Sequence, residues 1–293
     1  MYRRIKDFLS NKIFSAGTKR LSDDIALQLK INNAFSRAAV SSSTREVDQT
    51  NPLSWQFSGF SQNGEDGILD YLVSRLKNPN RYFIEIGSNN GIENNTAYLA
   101  HVKKFSGLQI EGDEGVYREA LKTKAWLVDC FNCFVKESTV DEILQRSLFR
   151  DPDVFSIDID GMDYYITRLL FERGLRPRII VVEYNSAYGP DARLTLKYQE
   201  DFNMFKTTYK YLYYGVSING WRQFFEKLGY RFVTVESNGV NAFFIDPAQF
   251  DNGFTGQLKG LAFAENIHQY RLFKGDWKSQ FERIKDQPFF EIS

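Results

Sequence analysis

The chain has 293 residues, with 37 Lys plus Arg against 37 Asp plus Glu, two histidines and two cysteines. That length suits one principal domain of about 200 residues with appendages, and the balanced charge gives no reason to expect a nucleic-acid partner. Cys130 and Cys133 stand alone as C-F-N-C without the further ligands zinc needs, so they read as buried structural thiols at a strand edge in a reducing compartment. No apolar run approaches the roughly 18 residues of a membrane span, and the N-terminus lacks the apolar segment of a signal peptide, so the expected setting is the cytoplasm.

Residues 1–50 read as a helical N-terminal extension and linker. Arg3, Arg4, Lys6, Lys12, Lys19 and Arg20 against Asp7, with Ile5, Phe8, Leu9 and Ile13 at helical spacing, predict a basic amphipathic helix. Such a helix packs on its own domain, on a second copy in a homo-oligomer, or on a membrane surface at the inner face. AVSSSTREVDQTNP, residues 39–52, reads as linker because its small polar residues offer little to bury.

Residues 51–250 form the expected main domain. SQNGEDGILDYLVSRL predicts a helix with Ile68, Leu69, Leu72, Val73 and Leu76 on one face, and RYFIEIG a first buried strand. ENNTAYLAHVKK reads as a helix beginning near Glu93, SGLQIEG as a second strand, EGVYREALKT as a helix and AWLVDCF as a third strand. STVDEILQRSLF follows as a helix capped by Ser138, DVFSIDID as a fourth strand, YYITRLLFERG as a helix ending at Gly174, and RIIVVEYN as a fifth strand. Regular alternation of short apolar strands with amphipathic helices predicts an α/β, doubly wound, mostly parallel sheet covered on both faces. WRQFFEKLGYRFVTVESNGVNAFFIDP then reads as helix, strand, SNG turn and strand, a closing antiparallel hairpin. Residues 251–293 are a C-terminal extension.

In a doubly wound sheet the ligand sits beyond the carboxyl ends of the strands, on the loop after the first one. Here that loop is FIEIGSNNGIENNT, in which Gly87 and Gly91 permit close backbone approach. The spacing E-x-G-x-x-x-G departs from G-x-G-x-x-G, and no G-K-[ST] follows. Glu85 stands where a phosphate binder would carry a basic residue, and an acid lining the pocket favours a cation. Glu111, ending the second strand in LQIEGD, is placed to accept both hydroxyls of a ribose. A ligand with a ribose and a cationic amino-acid end fits both acids, and S-adenosylmethionine is such a ligand. Asn89, Asn95, Thr96 and Gly112 are further cofactor candidates, with Phe134 in NCFV toward the adenine edge and Asp158 at the fourth strand.

SQNGEDG, FIEIGSNNGIENNT, SIDIDGMDYY, IIVVEYN and YGVSINGW with GVNAFF, in that order over residues 58 to about 247, together resemble the FkbM-type methyltransferases, in particular a branch of capsule and lipopolysaccharide sugar biosynthesis. The resemblance implies a class I methyltransferase fold, S-adenosylmethionine as cofactor, a cofactor motif on Glu85, Gly87 and Gly91, and the ribose acid at Glu111. Where many such proteins have acid-x-Glu-Gly after the fourth strand, this chain has D-I-D-G at 158–161.

Asp158, Asp160 and Asp163 follow the fourth strand, and Glu183 and Asn185 the fifth. By alternation Asp158 shares a face with Asp160, and Glu183 with Asn185. Two readings follow. In one, Asp160, Glu183 and Asn185, joined by Asp158 or Asp163, hold Mg²⁺ or Mn²⁺, a layout similar to metal-dependent catechol and macrolide-sugar O-methyltransferases. In the other, Asp158 or Asp160 meets the methionine amino group, and Asp163 sits in the first helical turn. Asp160, Asp163 and His268 are the candidate catalytic groups for taking a proton from a hydroxyl. Tyr184, Tyr188, Tyr213, Tyr214 and Trp221 offer a platform for a sugar ring. The expectation is an O-methyltransferase for a sugar, nucleotide-sugar or glycan acceptor. A metal-dependent glycosyltransferase using D-I-D leaves the glycine loop and Glu111 unexplained, and a non-catalytic cofactor-binding relative is the third reading.

Overall fold

The computed structural model describes the backbone of residues 2–293 and the side chains of residues 21, 22 and 24–293. Helix α1 (Tyr2–Thr44) opens the chain. The side chains on which its basic amphipathic character was expected, Arg3 to Arg20, lie outside the described ones. Its later turns pack on the domain through Ala34 and Ala38, small enough for the helix to lie on Gly59, where an added Cβ would stand 2.5 Å from that of Ala38.

The expected linker is not one. Residues 39–44 complete α1, and the chain after it is pinned. Arg45 donates to the carbonyls of Trp55 (2.6 Å) and Gly67 (3.1 Å) and pairs with Asp70, while the Trp55 indole donates to the Asp48 carbonyl at 2.6 Å. Polar residues order here because each finds a backbone partner, which composition alone does not reveal.

From there α2 (Glu65–Val73), β1 (Tyr82–Ile86), α3 (Ala97–His101), β2 (Ser106–Glu111), α4 (Glu114–Thr123), β3 (Val128–Asn132), α5 (Val140–Arg146), β4 (Val154–Ile157), α6 (Asp163–Glu172) and β5 (Ile179–Glu183) alternate. Then follow β6 (Leu194–Leu196), α7 (Ile218–Lys227), β7 (Arg231–Val235), β8 (Asn241–Ile245), α8 (Asn252–Gly256), α9 (Ile267–Phe273), α10 (Trp277–Glu282) and β9 (Phe289–Glu291). The main sheet runs β3-β2-β1-β4-β5-β8-β7. Its first five strands are parallel, and β8 lies antiparallel between β5 and β7. This is the expected Rossmann-like, doubly wound sheet with its closing hairpin. The strands read as unbroken apolar runs because both faces are covered. Ile84, Ile86, Phe155 and Val182 belong to the core under α5, α6 and α7, whereas Phe83, Val154 and Val181 belong to the core under α1, α2 and α3.

Two local expectations change. The helix after β1 starts at Ala97, not near Glu93, because residues 88–96 run as successive turns and bends. Ser138 is not a cap: it lies inside a short 3-10 turn, and Thr139 precedes α5. The C-terminal extension is woven into the domain, since β9 pairs with β6 and Ile284 and Ile292 are buried in the main core. Among the described residues, no helix is long and apolar enough to cross a membrane.

Candidate active site

A cleft of about 1100 Å³ opens at the carboxyl ends of β1, β2, β4 and β5. The strand order reverses there, between β1 and β4, which is where a doubly wound sheet leaves room for a ligand. On the β1–β2 side the chain turns at Gly87 (φ +82°) and Asn89 (φ +50°). A Cβ on Gly87 would stand 1.7 Å from the Asp158 carbonyl, so only glycine lets the two strand ends meet. The turn aims the Asn89 N–H at Glu111 Oε2 (2.9 Å), while the Asp113 N–H donates to Oε1 (2.8 Å). Both carboxylate oxygens are thereby fixed, each with a lone pair to spare. Glu111, Gly87, Asn89 and Gly112 all line the cleft, with Phe134 half-exposed at its rim.

Glu85 does not line it. The strand parity that puts Phe83 under α3 puts Glu85 there too, and its carboxylate accepts from the Asn95 N–H (2.8 Å) and from Thr96 Oγ1 (2.5 Å). Burial raises it to about 7 against these hydrogen bonds. Glu85, Asn95 and Thr96 therefore shape the floor from beneath, and Asn95 adds a bond to Ser156 Oγ at 3.0 Å. Gly91 (φ +75°) is also outside the lining, packed against Thr123. The thiols divide. Cys130 is buried, which pushes it up to about 11, and Cys133 stands half-buried on the cleft wall.

On the β4–β5 side, Asp158, Asp160 and Glu183 each present an oxygen within 4.8 Å of the others. Alternation alone does not bring them together: β4 ends at Ile157, and Asp160 takes the left-handed conformation (φ +55°), which turns it back into the group. Burial first, then Asp160 and Asp163, holds Asp158 well above the usual carboxylate range. Burial first, then Asp158 and Asp160, does the same to Glu183. Asp160 rises to about 6, by burial and then by Asp163. Tyr214 Oη donates to Glu183 Oε1 at 3.2 Å. Three mutually repelling oxygen donors suit a hard divalent cation such as magnesium or manganese.

Asn185 and Asp163 are not part of this group. The strand stops at Glu183 and the chain enters a 3-10 turn, so Asn185 becomes its cap, buried, accepting from the Ala187 N–H and the Gln269 amide and donating to the carbonyls of Leu212 and Tyr214. No donor or acceptor is left for an ion. Asp163 is buried beneath the D-I-D-G loop, accepting from the N–H groups of Ile159 and Gly161, both at 2.9 Å, so it positions Asp160 from outside the lining.

His268, on α9, does line the cleft. Of the five aromatics read as a sugar platform only Tyr214 does. Tyr184, Tyr188, Tyr213 and Trp221 are core, their polar atoms bound to the carbonyls of Ala264, Tyr214, Pro288 and Glu183. The aromatic wall comes instead from residues 197–212, a segment without periodicity that contributes Phe202, Met204, Phe205 and Tyr211. Gln62, within the SQNGEDG motif, and Asn266 and Gln269 of the C-terminal segment also line it, and nothing in the local sequence marks the latter two.

No protein-family model matches the chain, and no curated protein matches it. Among solved structures it is similar to the O-methyltransferase TomG from Streptomyces achromogenes, involved in tomaymycin synthesis and in complex with SAM, at 17% identity over 72% of this chain and 87% of that one, TM-score 0.42. It is also similar to the O-methyltransferase from Bacillus cereus in complex with SAH, at 15% identity over 74% of this chain and 89% of that one, TM-score 0.40. A third likeness is to cofactor-bound Rv0187 from MTB, at 16% identity over 72% and 87%, TM-score 0.42.

Proposed function

We propose that the protein is an S-adenosylmethionine-dependent O-methyltransferase of FkbM type, acting on a hydroxyl of a sugar or glycan, with a divalent cation assisting. The observation that carries the reading is Glu111, whose two oxygens are held by the Asn89 and Asp113 N–H groups beside the Gly87 turn, leaving a rigid bidentate acceptor for a ribose diol. When bound, the cofactor supplies an electrophilic methyl group on a sulfonium. The chain's own part is orientation and proton removal. Phe202, Met204, Phe205 and Tyr211 wall the acceptor side and limit water, and alignment is worth several kcal/mol. Asp160 and His268 both line the cleft: His268 takes the hydroxyl proton when Asp160 holds a cation, and without a cation either of them does. Asp158, Asp160 and Glu183 would hold the cation, which would supply Lewis acidity at the hydroxyl.

Titration calorimetry with S-adenosylmethionine and S-adenosylhomocysteine tests the cofactor, and a folded protein that binds neither overturns the reading. Chelation should then abolish turnover, read as S-adenosylhomocysteine release, and leave cofactor affinity intact, with magnesium or manganese restoring the rate. A metal-free, fully active preparation would remove the cation and leave the methyl transfer.

A further inference from the structure

The cleft is one-sided in charge. Glu111, Asp113, Asp158, Asp160, Glu183 and Glu200 line it, and among the described lining residues there is neither lysine nor arginine. Two lysines near the rim are held by the lining itself: Lys136 pairs with Glu200 (3.7 Å) and with its neighbour Asp201 (2.9 Å), and Lys210 lies over the rings of Phe205 and Tyr211.

Among the described residues, the backbone N–H groups at two helix starts beside the cleft are also taken. A phosphate in a doubly wound fold is held by free N–H groups at the glycine loop and at helix N-termini. Here Asp113 accepts the Gly115 and Val116 N–H groups that open α4. Asp163 takes those of Ile159 and Gly161 before α6, and Asn90 Oδ1 takes those of Ile92 and Glu93. Glu85 takes the Asn95 N–H after the glycine loop. At the two helix starts beside the cleft the chain's own Asp113 and Asp163 thus take N–H groups that could meet a phosphate, while Glu85 and Asn90 do the same beneath the floor. A divalent cation on Asp158, Asp160 and Glu183 leaves even that cluster short of positive charge when its acids are ionised.

We propose that the acceptor carries no phosphate when it is methylated: it is a free, neutral or cationic hydroxy compound lying against the aromatic wall, and not a nucleotide-linked or phosphorylated sugar. This rests on the methyltransferase reading. It places the enzyme either before a phosphorylation or nucleotidyl transfer, or after the glycosyl transfer that releases the nucleotide.

The test titrates the full chain, preloaded with S-adenosylhomocysteine, with inorganic pyrophosphate and with uridine diphosphate glucose, each with and without magnesium. Neither probe should bind with a dissociation constant below about 1 mM. The double variant Asp160→Asn, Glu200→Lys, in protein that still binds S-adenosylhomocysteine, should gain roughly tenfold in pyrophosphate affinity. Tight binding of either probe to the unmodified chain, with or without magnesium, overturns the proposal, as does a double variant no more receptive than the original. Loss of S-adenosylhomocysteine binding in the unmodified chain would instead strike the cofactor reading, so the two failures are separable.

Discussion

The two halves of the cleft handle acids in opposite ways. At the ends of β1 and β2, the Glu111 carboxylate receives one N–H on each oxygen, from Asn89 and Asp113, so charge and shape support one another. At the ends of β4 and β5, Asp158, Asp160 and Glu183 face each other with Tyr214 Oη as one donor, and Asp160 sits in a backbone conformation that costs about 1 kcal/mol or more. One half is a finished mould for a ligand. The other stores electrostatic strain, which is how a site is prepared for a proton or a cation.

The contrast can be broken most severely at the seam between the halves. Gly87→Ala sets a methyl group against the Asp158 carbonyl at a positive φ, and should cost about 4 kcal/mol in chemical denaturation together with cofactor binding. A loss of less than about 1 kcal/mol would mean that the strand ends are not locked together. Asn185→Ala comes next, near 3 kcal/mol, because two carbonyls, one N–H and the Gln269 amide lose their partner. If it leaves stability unchanged while abolishing metal response, Asn185 is a ligand after all.

Asp160→Asn should act in the other direction. Because the folded protein holds that proton up to about 6 and the unfolded chain only to 3.8, Asp160 weakens folding progressively as pH rises between those values and fully above them. The variant should therefore be up to about 3 kcal/mol more stable than the parent at pH 7, the gap closing toward pH 4, while turnover falls. Paired denaturation curves across that range decide it, and a pH-independent gap would show that Asp160 does not titrate as a strained acid. The smallest effect belongs to the finished half. Glu111→Gln keeps the shape and removes the charge, so cofactor affinity should fall by about 1 kcal/mol by calorimetry with little change in stability.

The amino-acid sequence by itself determined the sheet, its parallel order of elements, the closing hairpin and the strand ends at which the site lies. Those follow from local facts: apolar runs too short for helices, amphipathic stretches between them, and glycines where the backbone must turn. It also placed Glu111 and the D-I-D-G acids at the cleft, because a strand's last residue is legible from where its apolar run stops. Only the tertiary structure decided which of the other candidates turn away from the cleft. Glu85 turns under α3, Asp163 folds beneath its own loop and Asn185 is consumed by Gln269, all through hydrogen bonds to residues that sequence spacing cannot bring near. The aromatic wall of residues 197–212 was equally hidden, since irregular segments carry no periodicity and take their place from the β6–β9 pairing and the C-terminal helices packed around them.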